Sequence, residues 1–393
     1  MRILVVHNRY REYGGEDSVF GSEVALLRSA GHQVDTLTVS NDSIGDASAR
    51  FSAALLCAYN PSARKRIETA LAANRPDVVH VHNFFPLISP SVFYACAAVG
   101  IPAVWTLHNY RIACANGLLF RDGAPCEKCL GATALWGVAH RCYRGSVAGS
   151  AAVAAMIEFN RRVGTWRRKV ARFIALTQFS RRKLEAAGVP SERICVKPNF
   201  VPDPGVHGRD TRAGVVFVGR LSREKGVHSL MRAWRDLDIP LTVIGDGPEM
   251  ADLRAMAPPG VRFAGHCSRE QTLAAMGQAA AMIVPSIWYE CFPVATVEAM
   301  SLGTPILASR IGALEEIIED GVSGHHFNPG DAADMARVAR AAFTDPTRLR
   351  SMGAAARTKY ETEYSPKRNL EMLVSIYDEV TRGSRARQHA SSA

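Results

Sequence analysis

"VVFVGRLSREKGV", residues 215–227, lies just past the middle of the chain and decides how the whole is built. Its first four residues are apolar and read as a short buried strand. Gly219 follows, then a polar loop, and Gly226 leads into a helical spacing. The unit starts afresh after "PDPGVHGRDTRAG" (202–214), a linker by its proline, glycine and aspartate, centred on 204–214. Downstream the pattern repeats in "LTVIGDG" (241–247), "VRFAGH" (261–266), "AMIVPS" (281–286) and "PILAS" (305–309). Upstream it is already present in "RILVVHN" (2–8), "QVDTLTVS" (33–40), "RPDVVHVHN" (75–83), "IPAVWTLHN" (101–109) and the strand–helix–strand stretch 172–201. Short apolar strands alternating with helices predict parallel sheets covered on both faces. The expected fold class is therefore α/β, two doubly wound Rossmann-like domains, 1–200 and 201–365. An amphipathic helix follows at 366–382, and the polar end, 383–393, reads as a disordered tail.

The bulk numbers agree. A chain of 393 residues is too long for one ordinary core. Apolar residues make up 47% and charged residues 21%, a globular composition rather than a disordered one. The balance of 47 Lys+Arg against 37 Asp+Glu points to an anionic partner such as phosphate, nucleic acid or an acidic membrane face. The first ten residues hold no apolar signal core, and no run approaches the roughly 20 residues of a spanning helix. A cytoplasmic protein is expected. Its nine cysteines are an odd number and do not suggest a disulfide scaffold.

Several residues carry chemistry. Arg220 offers a planar fork and Lys225 a point charge, together suited to a diphosphate. In "YECFPVATVEAMSLGTP" (289–305), Pro293 suits the first turn of a helix that runs to about Leu302 and stops at Gly303. The free N–H groups of Val294 and Ala295 then form an anion site. Glu290 stands before that helix and Glu298 two turns inside it. Even in an unbroken helix, eight steps would set them roughly 80° apart. They read as two clamps on one long ligand, each carboxylate accepting a pair of hydroxyls. His266 ends "VRFAGH", where a loop could hold a base through its backbone. "YGGEDS" (13–18) sets Gly15 in a phosphate-approach loop, without the G-x-G-x-x-G spacing or a following lysine. His108 ends the strand in "TLHNYR" (106–111). His80 and His82 share one strand face. With no carboxylate or third histidine near them in sequence, they suggest substrate contact or packing.

An insert, 112–145, carries Cys114, Cys126, Cys129 and Cys142 with spacing C-x11-C-x2-C-x12-C. Structural zinc suits four thiolates around a central C-x2-C. Free or disulfide-forming thiols and an iron–sulfur cluster are the alternatives. The basic stretch "EFNRRVGTWRRKVARF" (158–173), with Trp166 and Phe173, suits either a solvated surface or an anionic bilayer face.

"GRLSREKG", "IGDGPE" and "ECFPVATVEAMSLGTPILAS" resemble the nucleotide-sugar half of family 4 glycosyltransferases. "YGGEDS", "DVVHVHN" and "TLHNYR" resemble the acceptor half. The resemblance implies the GT-B fold, two Rossmann-like domains facing across a cleft, with the last helix crossing back to the first domain. It implies retaining transfer of a hexose from a nucleoside diphosphate sugar to a glycan or lipid-linked acceptor, in surface polysaccharide or lipopolysaccharide synthesis. On that pattern Arg220 and Lys225 bind the leaving diphosphate, and Glu290 holds the donor hexose. Glu298 holds the ribose, and the amides of Val294 and Ala295 meet the phosphates. Gly15 contacts the phosphates from the other domain, and His108 lies beside the anomeric carbon. Asn199 carries over as a donor contact, although the glycine that often follows it is absent. Pro293 stands where a small residue is usual. No Asp-x-Asp follows a strand, so no divalent metal is expected to be required. Two other classes compete. One is a sugar-nucleotide epimerase or phosphorylase on a similar fold. The other is a zinc-bearing nucleic-acid binder, disfavoured because the basic residues are scattered and no recognition motif backs them.

Overall fold

The computed structural model describes residues 1–12, 14–205 and 212–392. Residues 206–211 of the linker read at 204–214, and Tyr13 of "YGGEDS", lie outside the described residues. The chain divides into two compact units. One comprises Met1–Leu119, Cys126–Asn199 and Asn369–Ala393; the other comprises Phe120–Pro125 and Phe200–Arg368.

The first unit is built on β1 (Arg2–Arg9), β2 (Gln33–Ser40), β3 (Val78–Asn83) and β4 (Ala103–Thr106). Next in chain order come a short antiparallel hairpin that groups with the second unit, β5 (Phe120–Arg121) with β6 (Ala124–Pro125), and then β7 (Arg172–Ala175) and β8 (Ile194–Val196) of the first. The six long-range strands pair in parallel in the order β2-β1-β3-β4-β7-β8. The order reverses between β1 and β3, the switch point at which such sheets open a crevice. Side chains alternate across β1. Ile3 and Val5 face a core shared with Phe20, Val24 and Leu27 of the first helix (Gly15–Ser29) and with Leu373, Ile376, Tyr377 and Val380 of the last. Leu4 and Val6 face the opposite core, with Val79, Val81 and Trp105.

The second unit repeats the plan with β9 (Val215–Val218), β10 (Leu241–Ile244), β11 (Val261–Gly265), β12 (Ala281–Val284), β13 (Ile306–Ser309) and β14 (Gly324–Phe327). The order is β11-β10-β9-β12-β13-β14, all parallel, with its switch point between β9 and β12. The sequence reading missed β14. "GHHF" is not an apolar run, and a side chain at Gly324 would come within 2.0 Å of the Ile306 carbonyl oxygen.

Three expectations need correction. Pro293 is not in the first turn: the helix spans Val294–Ser301, and Pro293 is its N-cap, with ψ at 89°. The last helix spans Pro366–Ser392, so the residues read as a disordered tail continue it to Ser392. Past Gly383 no proline interrupts, and Ala, Arg and Gln favour helix. The two aromatics of the basic stretch, Trp166 and Phe173, do not lie on a surface. Both are core, with Trp166 5.2 Å from Trp105 between ring centroids and Phe173 carried into the sheet by β7. No described helix is long and apolar enough to cross a membrane.

Candidate functional site

In the second unit the loops after β9 and β12 meet at the switch point. Gly226, at φ +69°, is the joint: a Cβ there would come within 1.9 Å of the Pro285 carbonyl oxygen, so only glycine lets the two loops touch. The backbone N–H of Ile287 donates to the Glu224 carbonyl at 2.9 Å and fastens them. This contact brings Lys225 and Glu290 together across 65 residues. The Lys225 Nζ donates to Glu290 Oε1 at 2.7 Å, and the Ser286 hydroxyl donates to the same oxygen at 2.6 Å. Glu290 is buried at 6% exposure. The carboxylate is thus held through Oε1.

The Val294–Ser301 helix starts three residues after Glu290's neighbour Cys291, and no side chain caps it. The amides of Val294 and Ala295 thus open the helix as anion donors. Glu298 lies within it, 14% exposed, with Arg269 at 3.2 Å. Burial raises the Glu298 carboxyl above its ordinary value, and Arg269 only partly offsets this. The helix ends at Ser301 with Leu302 as its C-cap, and Gly303 turns the chain at φ +67°. Arg220 follows β9 and is exposed; His266 follows β11 and is exposed. Gly245, after β10, would bring a Cβ within 2.0 Å of the Gly219 carbonyl oxygen. The "IGDG" and "GRLS" loops therefore pack backbone to backbone.

In the first unit the buried polar residues include a His7–Asp17 pair and a larger network about Glu23. Asp17 receives the Gly14 N–H at 3.1 Å and so caps the first helix, while its other oxygen lies 2.9 Å from His7 Nε2. Glu23, one face further along that helix, meets His80 Nδ1 and His82 Nε2, each at 3.1 Å. Lys197, fully buried, donates to Glu23 at 2.9 Å and to Asn369 at 3.2 Å. Tyr377 of the last helix reaches His80 Nδ1 at 2.7 Å, and Thr106 lies 2.8 Å from His80 Nε2. His82 Nδ1 lies 3.0 Å from His108 Nε2, with the two rings stacked. Burial pushes the His82 imidazole down to about 4, with His80 adding to it. Burial, then His82, holds His108 well below its usual range. Burial raises the Glu23 carboxyl, but Lys197, His80 and His82 outweigh it and keep it well below the carboxylate range.

Sequence reasoning left Glu23, Lys197 and Tyr377 without roles, and gave none to Arg111 and Glu16. The Arg111 guanidinium carbon sits 4.4 Å from the Phe85 ring centroid and 5.9 Å from that of Tyr143. Its buried Nε has no hydrogen-bond partner among the described residues. The Glu16 carboxyl is pushed up to about 8 by burial and by Asp17, against the pull of Arg111. A depression lined by Phe85, His108, Asn109 and Arg111, among others, adjoins them. Gly15 opens the first helix, as the first residue after its cap. Asn199 is buried in this same unit, and its Oδ1 has no partner among the described residues.

In the insert, burial raises the Cys129 thiol up to about 12, and Cys114, Cys142 and Cys126 add to the shift. The other three thiols are thus near enough to Cys129 to oppose its ionisation. Among the described residues, the groups with ligand atoms all within 4.8 Å are Glu23, His80 and His82, and His228, Glu249 and Asp252. The four thiols are spaced more widely. In the first of those groups, Lys197 already supplies the positive charge an ion would bring.

Comparison with known proteins follows the same division. Residues 14–199 match the family model described as a glycosyl transferase 4-like domain, and residues 204–359 match that of glycosyl transferases group 1. Glycogen synthase of Mycobacterium tuberculosis is 31% identical over 186 residues, 45% of this chain and 45% of its own length. Phosphatidyl-myo-inositol mannosyltransferase of Mycobacterium leprae is 30% identical over 238 residues, 56% of this chain and 62% of its own. The match thus spans less than two thirds of either relative. Among solved structures, Anabaena Alr3699/HepE in complex with UDP superposes with a TM-score of 0.69 at 18% identity, covering 96% of this chain and 100% of that one. Sucrose-phosphate synthase from Thermosynechococcus elongatus superposes with a TM-score of 0.72 at 16% identity, covering 97% and 99%. With both halves matched and both sheets in place, the chain belongs to the family 4 glycosyltransferases and has the GT-B fold.

Proposed function

We propose that the protein transfers a hexose, with retention, from a nucleoside diphosphate sugar to a glycan or lipid-linked acceptor in surface polysaccharide synthesis. The observation that carries the reading is the buried Glu290 carboxylate, clamped by Lys225 and Ser286 directly before an uncapped helix. Such a group has one oxygen fixed and one to offer, which suits a sugar hydroxyl. The hard step is the departure of a diphosphate while the sugar becomes cationic. Arg220, Lys225 and the amides of Val294 and Ala295 supply positive charge to the departing diphosphate, and Gly15 is a further phosphate contact. Glu298 accepts the ribose hydroxyls, and Asn199 and the His266 loop contribute to donor binding. His108 stands at the reacting carbon. Cations take the role that a divalent metal plays elsewhere, so none is required.

The neighbour solved with UDP makes uridine diphosphate sugars the first donors to try. The relatives' names, one a glucan synthase and one a lipid mannosyltransferase, leave both polymer and lipid acceptors in play. The experiment is release of nucleoside diphosphate from a donor panel, with and without chelator, followed by product mass with a lipid-linked acceptor. No release from any donor would overturn the function, and loss of activity in chelator would overturn metal independence.

The four-cysteine insert, on our reading, closes around one structural zinc. It falls in a segment whose regular structure is a two-residue-per-strand hairpin and a four-residue helical turn. Such a segment gains order from a metal. Protein purified under reducing, chelator-free conditions is expected to carry about one zinc per chain, and Cys129→Ser to carry none. Wild-type protein without zinc by elemental analysis would defeat the idea.

A further inference from the structure

The buried network of the first unit has a direction, set by which groups can donate. Glu23 is an ionised carboxylate and can only accept. Its Oε2 accepts from the Lys197 ammonium at 2.9 Å. Its Oε1 lies 3.1 Å from His82 Nε2, so that nitrogen must carry the hydrogen. His82 is neutral, held so by burial. Its Nδ1 therefore bears a lone pair and accepts. The atom 3.0 Å away is His108 Nε2, which must then donate. His108 is neutral as well, so its proton is committed and Nδ1 keeps the lone pair.

The neighbouring bonds fit the same assignment. His80 Nδ1–H serves Glu23 and the Tyr377 hydroxyl oxygen, and its Nε2 accepts from Thr106. Lys197 is fixed in turn by the Asn369 side-chain oxygen. Nothing in the cluster offers His82 Nε2 a donor that would invert the chain.

We propose that Lys197, Glu23 and His82 are positioning residues that hold His108 as its Nε2–H tautomer, so that Nδ1 meets a donor-sugar hydroxyl as an acceptor only. The proposal rests on the reading of His108 as the residue at the reacting carbon. It adds a selectivity: the site takes sugars that present a hydroxyl there, and it disfavours deoxy analogues. In the other tautomer Nδ1 carries an N–H, so the hydroxyl must turn its oxygen to it and accept, and it can no longer donate its own hydrogen to the imidazole.

The test reads tautomers directly. Full-length protein with 15N-labelled histidine gives long-range proton–nitrogen correlations, with His108 assigned by difference against His108→Gln. Between about pH 6.5 and 8, wild-type His108 is expected in the Nε2–H form. Glu23→Gln supplies the decisive contrast. Lys197 holds the new amide's oxygen, which turns its NH₂ toward His82. His82 then carries its hydrogen on Nδ1, and His108 inverts to Nδ1–H. Turnover falls on the order of 10²-fold or more, as wrong-tautomer histidines do, with donor KM little changed. A wild-type Nδ1–H His108, or an unchanged tautomer in folded Glu23→Gln, overturns the proposal. Should Glu23→Gln not fold, the wild-type spectrum decides alone. The spectra need no substrate. An enzyme inactive on every donor but with the expected tautomer would sink the transfer reading and leave the relay standing.

Discussion

Glu290→Gln is expected to lower donor turnover on the order of 10²–10³-fold, the usual cost of removing one group that stabilises developing charge. The substitution keeps the shape and one carbonyl oxygen. That oxygen has two lone pairs, so Ser286 and Lys225 can still donate to it as they now do at 2.6 and 2.7 Å, although Lys225 loses its opposite charge. The second position, offered to the sugar, becomes an NH₂ that cannot accept. Stability should change little. Lys225 is 24% exposed and, without its counter-charge, can turn to solvent, so the lost ion pair is worth about 1 kcal/mol. The melting temperature should then move by under about 4 °C. Nucleoside diphosphate release and a thermal melt together settle the point. Near-normal turnover in a folded variant would remove Glu290 from the site.

Lys197→Met is expected to cost about 3–5 kcal/mol of stability, because it strands Glu23 in the core without its strongest counter-charge. Both partners are at most 2% exposed, so water cannot take over. That cost corresponds to a drop of roughly 6–20 °C in melting temperature. The pH dependence has a definite sign. In the wild type, Glu23 is held below its ordinary value, so its contribution is present above the unfolded carboxylate's pKa of about 4.3 and fades as pH falls further. In Lys197→Met, burial prevails and raises Glu23 instead. Protonating it then relieves the stranded charge. The deficit against wild type should be largest near neutral pH and shrink on acidification. Chemical denaturation at several pH values checks this. A deficit under about 1 kcal/mol, or one that grows on acidification, contradicts the account.

The strands were legible because parallel strands buried on both faces read as continuous apolar runs, as in "RILVV" and "AMIVP". Gly324–Phe327, by contrast, has a glycine and two histidines and lies at the end of the strand order, paired with β13. The glutamate pair was legible as unusual polarity in an apolar stretch. Its clamp was not: Lys225 and Glu290 stand 65 residues apart and meet because Gly226 lets two loops touch. The histidines of β3 were placed on one face by simple alternation. Their carboxylate is on a helix 59 residues before His82, and no local pattern announces it. Trp166 shows the opposite failure. Its neighbours in sequence are basic, but its neighbours in space are Trp105, Phe84 and Phe93. Tertiary packing overrode the local composition.

The last helix ties the two ends of the chain into one core. Tyr377 completes the bonds of His80, and Asn369 those of Lys197. The ribosome makes these two residues only after all of 200–368. The usual order, in which the earlier domain folds first during synthesis, cannot run to completion here. Until the final helix emerges, the Ile3–Val5 face of the sheet stays open and the buried charges lack part of their shell. The second unit is complete in sequence before the first can close, so the nascent chain finishes its beginning last.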